Sequence, residues 1–165
     1  MSARRFAVSF LLSLVLAALP QLAFAATTYT DSVVGREFFA TPTVGAFAGT
    51  ATGQLPGSWY AVVEHTPLSA GATITGGQFG LGTTIGGQPA TVTGTFFGGT
   101  VTQTGGSTGC ANQTYAVDGK LENVGVNGGS GTGTFNAVLT HFRTSLFGSC
   151  ITYAARVVGS VTLTF

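Results

Sequence analysis

Val157-Val158-Gly159-Ser160-Val161-Thr162-Leu163-Thr164-Phe165 is the stretch from which the fold is read. Its odd positions are Val157, Gly159, Val161, Leu163 and Phe165, while Ser160, Thr162 and Thr164 hold most of the even ones. A strand sends successive side chains to opposite faces, whereas a helix would spread these two sets around its whole surface. Apolar residues on one side and hydroxyls on the other make this a half-buried strand.

The same alternation recurs upstream. Phe135, Ala137 and Leu139 share a parity, and Tyr115, Val117 and Leu121 alternate with Asp118, Lys120 and Glu122. Trp59, Ala61, Val63 and His65 face one way, against Ser58, Tyr60, Val62 and Glu64. Beyond residue 25, no segment keeps an apolar i, i+3, i+4, i+7 pattern free of Gly over three turns. About eight strands follow, near 28–40, 46–53, 58–65, 72–80, 90–102, 113–124, 132–143 and 150–165. Glycine clusters at Gly76-Gly77, Gly86-Gly87, Gly105-Gly106 and Gly128-Gly129 are read as dividers between segments. Val92 and Phe96 are even while Phe97 and Val101 are odd, so a bulge or tight turn is expected beside Gly98-Gly99. The fold class is all-β, a single-domain antiparallel β-barrel or β-sandwich.

Composition agrees with that class and narrows the partners. The 165 residues include 26 Gly and 27 Thr, but only 7% are charged, against roughly 25% in ordinary soluble domains. A β-branched residue with a hydroxyl suits a pleated face that meets water. The formal charge of +1 gives no electrostatic footprint for nucleic acid, and 44% apolar residues are too many for a disordered chain.

Residues 1–25 read as a secretory signal peptide. Arg4 and Arg5 precede an apolar run from Phe6 to Leu19, and Ala23-Phe24-Ala25 supplies small residues for cleavage before Ala26. The run is short of the roughly 20 residues a transmembrane helix needs, and no second one follows, so no transmembrane helix is expected in the mature chain, residues 26–165. Removing Arg4 and Arg5 leaves 6 − 2 = 4 basic residues against 5 acidic ones, a mature charge of −1. The expected location is outside the cytoplasm: extracellular, at the cell surface or in the periplasm. There Cys110 and Cys150 are expected to form a disulfide, because neither has a neighbouring His or basic residue to make a reactive thiol.

Chemistry-bearing residues are few. His65 and His141 each extend an inward-facing set, and Arg143 stands two residues beyond His141. If the strands bring them to one end of a barrel, they make a small polar site at the mouth of an apolar interior. Only Glu64 and Glu37 could complete a metal site, so neither metal nor cofactor is expected. No Gly-x-Ser-x-Gly elbow occurs, and the glycine pairs lack the spacing of a phosphate or dinucleotide loop. Trp59, with Tyr60, Phe38, Phe39, Phe96 and Phe97, is the candidate aromatic platform for a sugar or lipid.

The alternating run ending in Phe165 looks like the C-terminal strand signature of bacterial outer-membrane barrel proteins, which implies an eight-stranded membrane barrel. Gly131-Thr132-Gly133-Thr134-Phe135 is similar to a Gly-rich strand start in dirigent and allene-oxide-cyclase barrels, which implies a closed soluble barrel. No acidic residues here correspond to the dirigent site, so no function is carried over.

The resulting expectation is an exported, non-enzymatic protein that binds an apolar or sugar-like ligand, or serves a cell-surface or extracellular assembly, self-association included. The alternatives are the membrane barrel and an enzyme or metal site built on His65 and His141.

Overall fold

The computed structural model describes residues 25–68, 71–106 and 108–165. The expected signal peptide thus lies, but for Ala25, outside the described residues. Eight strands run in chain order: β1 (Thr28–Ala40), β2 (Val44–Gly53), β3 (Gly57–His65), β4 (Gly71–Ile85), β5 (Gln88–Gly105), β6 (Gln113–Val126), β7 (Gly131–Leu146) and β8 (Ser149–Thr164). Each pairs antiparallel with the next, and β1 closes onto β8, from Thr28↔Thr164 to Arg36↔Arg156. The structure is therefore a closed up-and-down barrel rather than a sandwich. No helix among the described residues is long and apolar enough to cross a membrane.

The quoted strand behaves as its alternation demands. Val157, Val161 and Leu163 are buried, and Thr162 and Thr164 point outward. Across β1, β8 and β7 the outward residues align in rows: Thr28, Thr164 and Thr132; Thr30, Thr162 and Thr134; Ser32, Ser160 and Asn136. Neighbouring hydroxyls bond across the first two rows, at 2.9 Å for Thr28–Thr164 and 3.2 Å for Thr30–Thr162.

An eight-stranded barrel has an interior just wide enough for side chains to fill. Here aromatic rings fill it. Phe135 lies with its centroid 5.6 Å from Trp59, 6.4 Å from Phe79 and 6.2 Å from Phe96, the last edge-on. Room for them comes from small inward residues. A Cβ on Gly35 would stand 2.5 Å from Cζ2 of Trp59 and 2.6 Å from the Ala48 carbonyl oxygen. At the lower end, Leu55 donates its N–H to Oδ1 of the buried Asp31 at 2.8 Å.

The parity switch in β5 is a bulge between Phe96 and Gly98, which leaves Phe97 half exposed. Gly76-Gly77 is not a divider, contrary to expectation: it lies inside β4. Ladder pairing between β4 and β5 stops after Thr73↔Thr100 and resumes at Gln78↔Thr95. At that level the inward set of β4 changes from Ala72 and Ile74 to Phe79 and Leu81. Gly77 has φ 128° and Gly99 φ 132°, conformations that L side chains rarely adopt. Glycine here lets long strands bend without ending them.

Cys110 and Cys150 form a disulfide with a Cα–Cα distance of 5.5 Å. It ties the β5–β6 loop to the start of β8.

Two stability measurements test this account. Gly35→Ala is expected to lower unfolding free energy by about 1–3 kcal/mol, because neither the Trp59 ring nor the Ala48 backbone can yield cheaply. The paired replacement Cys110→Ser, Cys150→Ser releases a loop of 40 residues and should cost up to about 4 kcal/mol in the loop-entropy treatment. Denaturant melts of both variants give these values directly.

Candidate functional site

Four connections share one rim, termed upper: β1–β2, β3–β4, β5–β6 and β7–β8. The inward parities of three strands deliver polar side chains there. β3 runs Trp59, Ala61, Val63, His65; β7 runs Phe135, Ala137, Leu139, His141; β1 runs Asp31, Val33, Gly35, Glu37. The apolar residues of these rows fill the barrel, and the last residue of each row reaches its mouth.

His141 and Glu37 meet. Nε2 lies 3.2 Å from Oε2, with side chains only 14% and 11% exposed. The carboxylate sits off the line an imidazole N–H would take, so Nε2 has no aligned hydrogen-bond partner. The contact is an ion pair when the ring is protonated. Tyr115 stands beside the same ring, with centroids 5.4 Å apart, and donates its hydroxyl to Oε1 of Gln113 at 3.1 Å. Burial pushes the Tyr115 phenol above its ordinary pKa of 10.0, and the nearby Arg143 guanidinium opposes that shift.

His65 is fixed differently. Its Nδ1 is 2.8 Å from the Thr66 carbonyl oxygen. A carbonyl only accepts, so the neutral ring carries its proton on Nδ1 and keeps the Nε2 lone pair. His65 and Glu37 both line a cavity of about 40 Å³ that Phe47, Leu68, Phe135 and Val157 help enclose. Such a space suits one or a few water molecules and falls far below the roughly 300 Å³ at which small-molecule sites begin.

The remaining sequence candidates have other partners. Trp59 is 2% exposed, and its Nε1–H points to the carbonyl oxygens of Val34 at 3.3 Å and Thr50 at 3.2 Å. It fills the barrel and offers no face to a ligand. Arg143 donates its backbone N–H to Oδ1 of Asn112 at 3.0 Å, and its guanidinium approaches the Gly109 carbonyl at 3.5 Å. It thereby holds the β5–β6 loop beside the disulfide. Glu64 faces outward and is exposed. The residue that sequence reasoning undervalued is Glu37, although the parity of Asp31, Val33 and Gly35 already pointed it inward.

Chemically, the mouth can hold and polarise water. Among the described residues neither imidazole hydrogen-bonds a hydroxyl or thiol, and no three His, Cys, Asp or Glu side chains group to hold a metal.

The Tyr115 shift has a signed consequence. Because the folded state holds the phenolic proton more tightly, its contribution to stability is complete below the unfolded pKa near 10 and is lost as pH rises through the higher folded value. Tyr115→Phe is therefore expected to flatten the fall in melting temperature above about pH 10. An unchanged alkaline limb would contradict the assignment.

No protein-family model, curated protein or solved structure matches this chain.

Proposed function

We propose that the mature chain is an exported, non-enzymatic interaction module that acts through its outside, in a cell-surface or extracellular assembly of which self-association is one form. The observation that carries this reading is an arm. Pairing of β6 with β7 begins at Gln113↔His141, and that of β1 with β8 reaches Arg36↔Arg156. Beyond those points β7 and β8 pair only with each other, from Phe142↔Ala154 to Leu146↔Ser149. The result is a two-stranded ribbon that projects past the upper rim, held at its side by Cys110–Cys150.

The ribbon's tip has the wrong chemistry for a passive turn. Phe147 has φ 49° and Gly148 φ 79°, positions that two-residue hairpins usually fill with Asn-Gly or Gly-Gly. A bulky residue in that region is strained, and such strain is a reason to look for function. Phe147 is 98% exposed, and Leu146, Ile151 and Tyr153 are exposed near it. Contiguous apolar surface of this kind marks interaction sites.

Two further features support the reading. The interior is filled, which removes the main place for a ligand. The outward face of the barrel mixes Thr, Ser, Asn, Asp and Lys with exposed apolar residues such as Val34, Val138 and Val158, while the inward face carries the buried aromatic core. The continuous apolar outer band that lipid selects in a membrane barrel is thus interrupted by polar rows. An enzyme built on His65 and His141 has less support, since the cavity beside His65 takes only water.

Phe147→Asn supplies the preferred Asn-Gly turn and removes the exposed ring. The variant is expected to melt at the same or a higher temperature, and to lose concentration-dependent association in sedimentation velocity and retention on the surface of the producing cells. If the processed parent chain is monomeric and the variant is retained as well as the parent, the proposal fails.

A further inference from the structure

The chain spends charge sparingly, with four basic residues after Arg4 and Arg5. Two of them, Arg36 and Arg156, are Cα partners across β1 and β8. Both are exposed and point outward, because Gly35, Ala155 and Val157 beside them face in. Like charges directly opposite each other on a sheet are destabilising. The neighbours in the same row are Ala48 on β2 and Thr140 on β7, which offer no compensating charge. Among the described residues the one ion pair is Glu37–His141, and neither exposed guanidinium donates a hydrogen bond to the protein.

The pair borders a groove on the outside of the barrel, about 740 Å³ in volume. Its origin is topological. β8 leaves β1 above Arg156, so the base of the arm, with Phe142 and Ala154, stands apart from the β1–β2 wall of Val34 and Ala48. Gly35 and Gly49, whose Cα hydrogens face the interior, contribute only backbone to its floor. Besides the two arginines, Thr50 is the sole lining residue with a polar side chain. A saccharide would need several hydrogen-bond partners that this groove lacks. An apolar body with one anionic head meets all of its chemistry: guanidinium groups grip a carboxylate or phosphate in bidentate fashion, and the Val, Ala and Phe side chains cover the remainder.

We propose that Arg36, Arg156 and this groove bind a single-tailed amphiphilic anion, its carboxylate or phosphate head on the two guanidiniums and its hydrocarbon between the arm and the β1–β2 wall. The site is independent of the arm's tip, so its failure and that of the interaction reading are separable.

The test is calorimetric titration of the processed, disulfide-bonded protein with dodecanoate and with dodecyl phosphate, each below its micelle-forming concentration. Dodecanol and acetate probe the tail and the head alone, and phosphatidylglycerol vesicles probe a membrane surface. One site per chain is expected for either dodecyl anion. Arg36→Gln and Arg156→Gln should each weaken it by about tenfold or more, as expected for loss of a charge-assisted contact. Both variants should melt no lower than the parent, since each relieves a like-charge contact, and Phe147→Asn should bind as the parent does. Equal binding of dodecanol, undiminished binding by the glutamine variants, binding to vesicles alone, or no binding of either dodecyl anion would each overturn the proposal.

Discussion

Closure of β1 onto β8 is the constraint from which the other features descend. Once eight strands form a ring, every inward side chain must share one narrow interior. That interior is occupied by Phe135 and the three rings around it, and Gly35 yields its own volume to Trp59. A barrel filled in this way removes its sheet edges and gains a continuous core, but it leaves little room for a ligand. The small cavity under His65 and Glu37 is what remains where the aromatic packing ends. The surface left open to other molecules is therefore the rim and the outer wall.

Scarcity of charge shapes that outer wall. Threonine supplies the wet face that lysine and glutamate supply in most domains, and its hydroxyls bond across strands in rows. On a surface so nearly neutral, each charge that does occur acts on a poorly compensated background. Lys120 stands between Asp118 and Glu122 along β6, an ordinary solvated set. Arg36 beside Arg156 has no such company, and two guanidiniums kept adjacent at a cost in stability need a reason that folding does not supply.

Much of the fold was legible because burial in a half-wet strand is written with period two. The strands, the disulfide pairing, the bulge beside Gly98-Gly99 and the inward direction of His65 and His141 all follow from parity or from cysteine placement. Closed barrel against sandwich was not legible, since both require the same alternation, and only the β1–β8 ladder distinguishes them. Gly76-Gly77 misled because a glycine pair can end a strand or bend it, and the choice depends on the neighbouring strand bending at the same level. Trp59 misled because an aromatic in an alternating set is consistent with a platform or a filler, and the carbonyls of Val34 and Thr50 that take its N–H come from two other strands. Glu37 was legible and undervalued: its charge hid a parity that placed it inward.

The outer groove arises where β8 departs from β1 above Arg156, and the arm arises where that departure coincides with the end of the β6–β7 ladder at Gln113↔His141. Alternation predicts which face of a strand is buried, but not where its neighbour stops, so neither feature could be read from periodicity. The late start of β6 leaves β7 unpaired on one side from Phe142 onward, and the departure from β1 leaves β8 unpaired on one side up to Ala155. Free edges invite unselective pairing with other strands, and native sheets blunt them with bulges, charge or cover. Here a register shift between Phe142 and Arg143 interrupts the ribbon at its root, and Arg143 and the disulfide hold it against the β5–β6 loop. A ribbon braced in this way keeps its edges from sliding while its apolar tip stays exposed, which is the combination a specific contact requires and an aggregation-prone hairpin lacks.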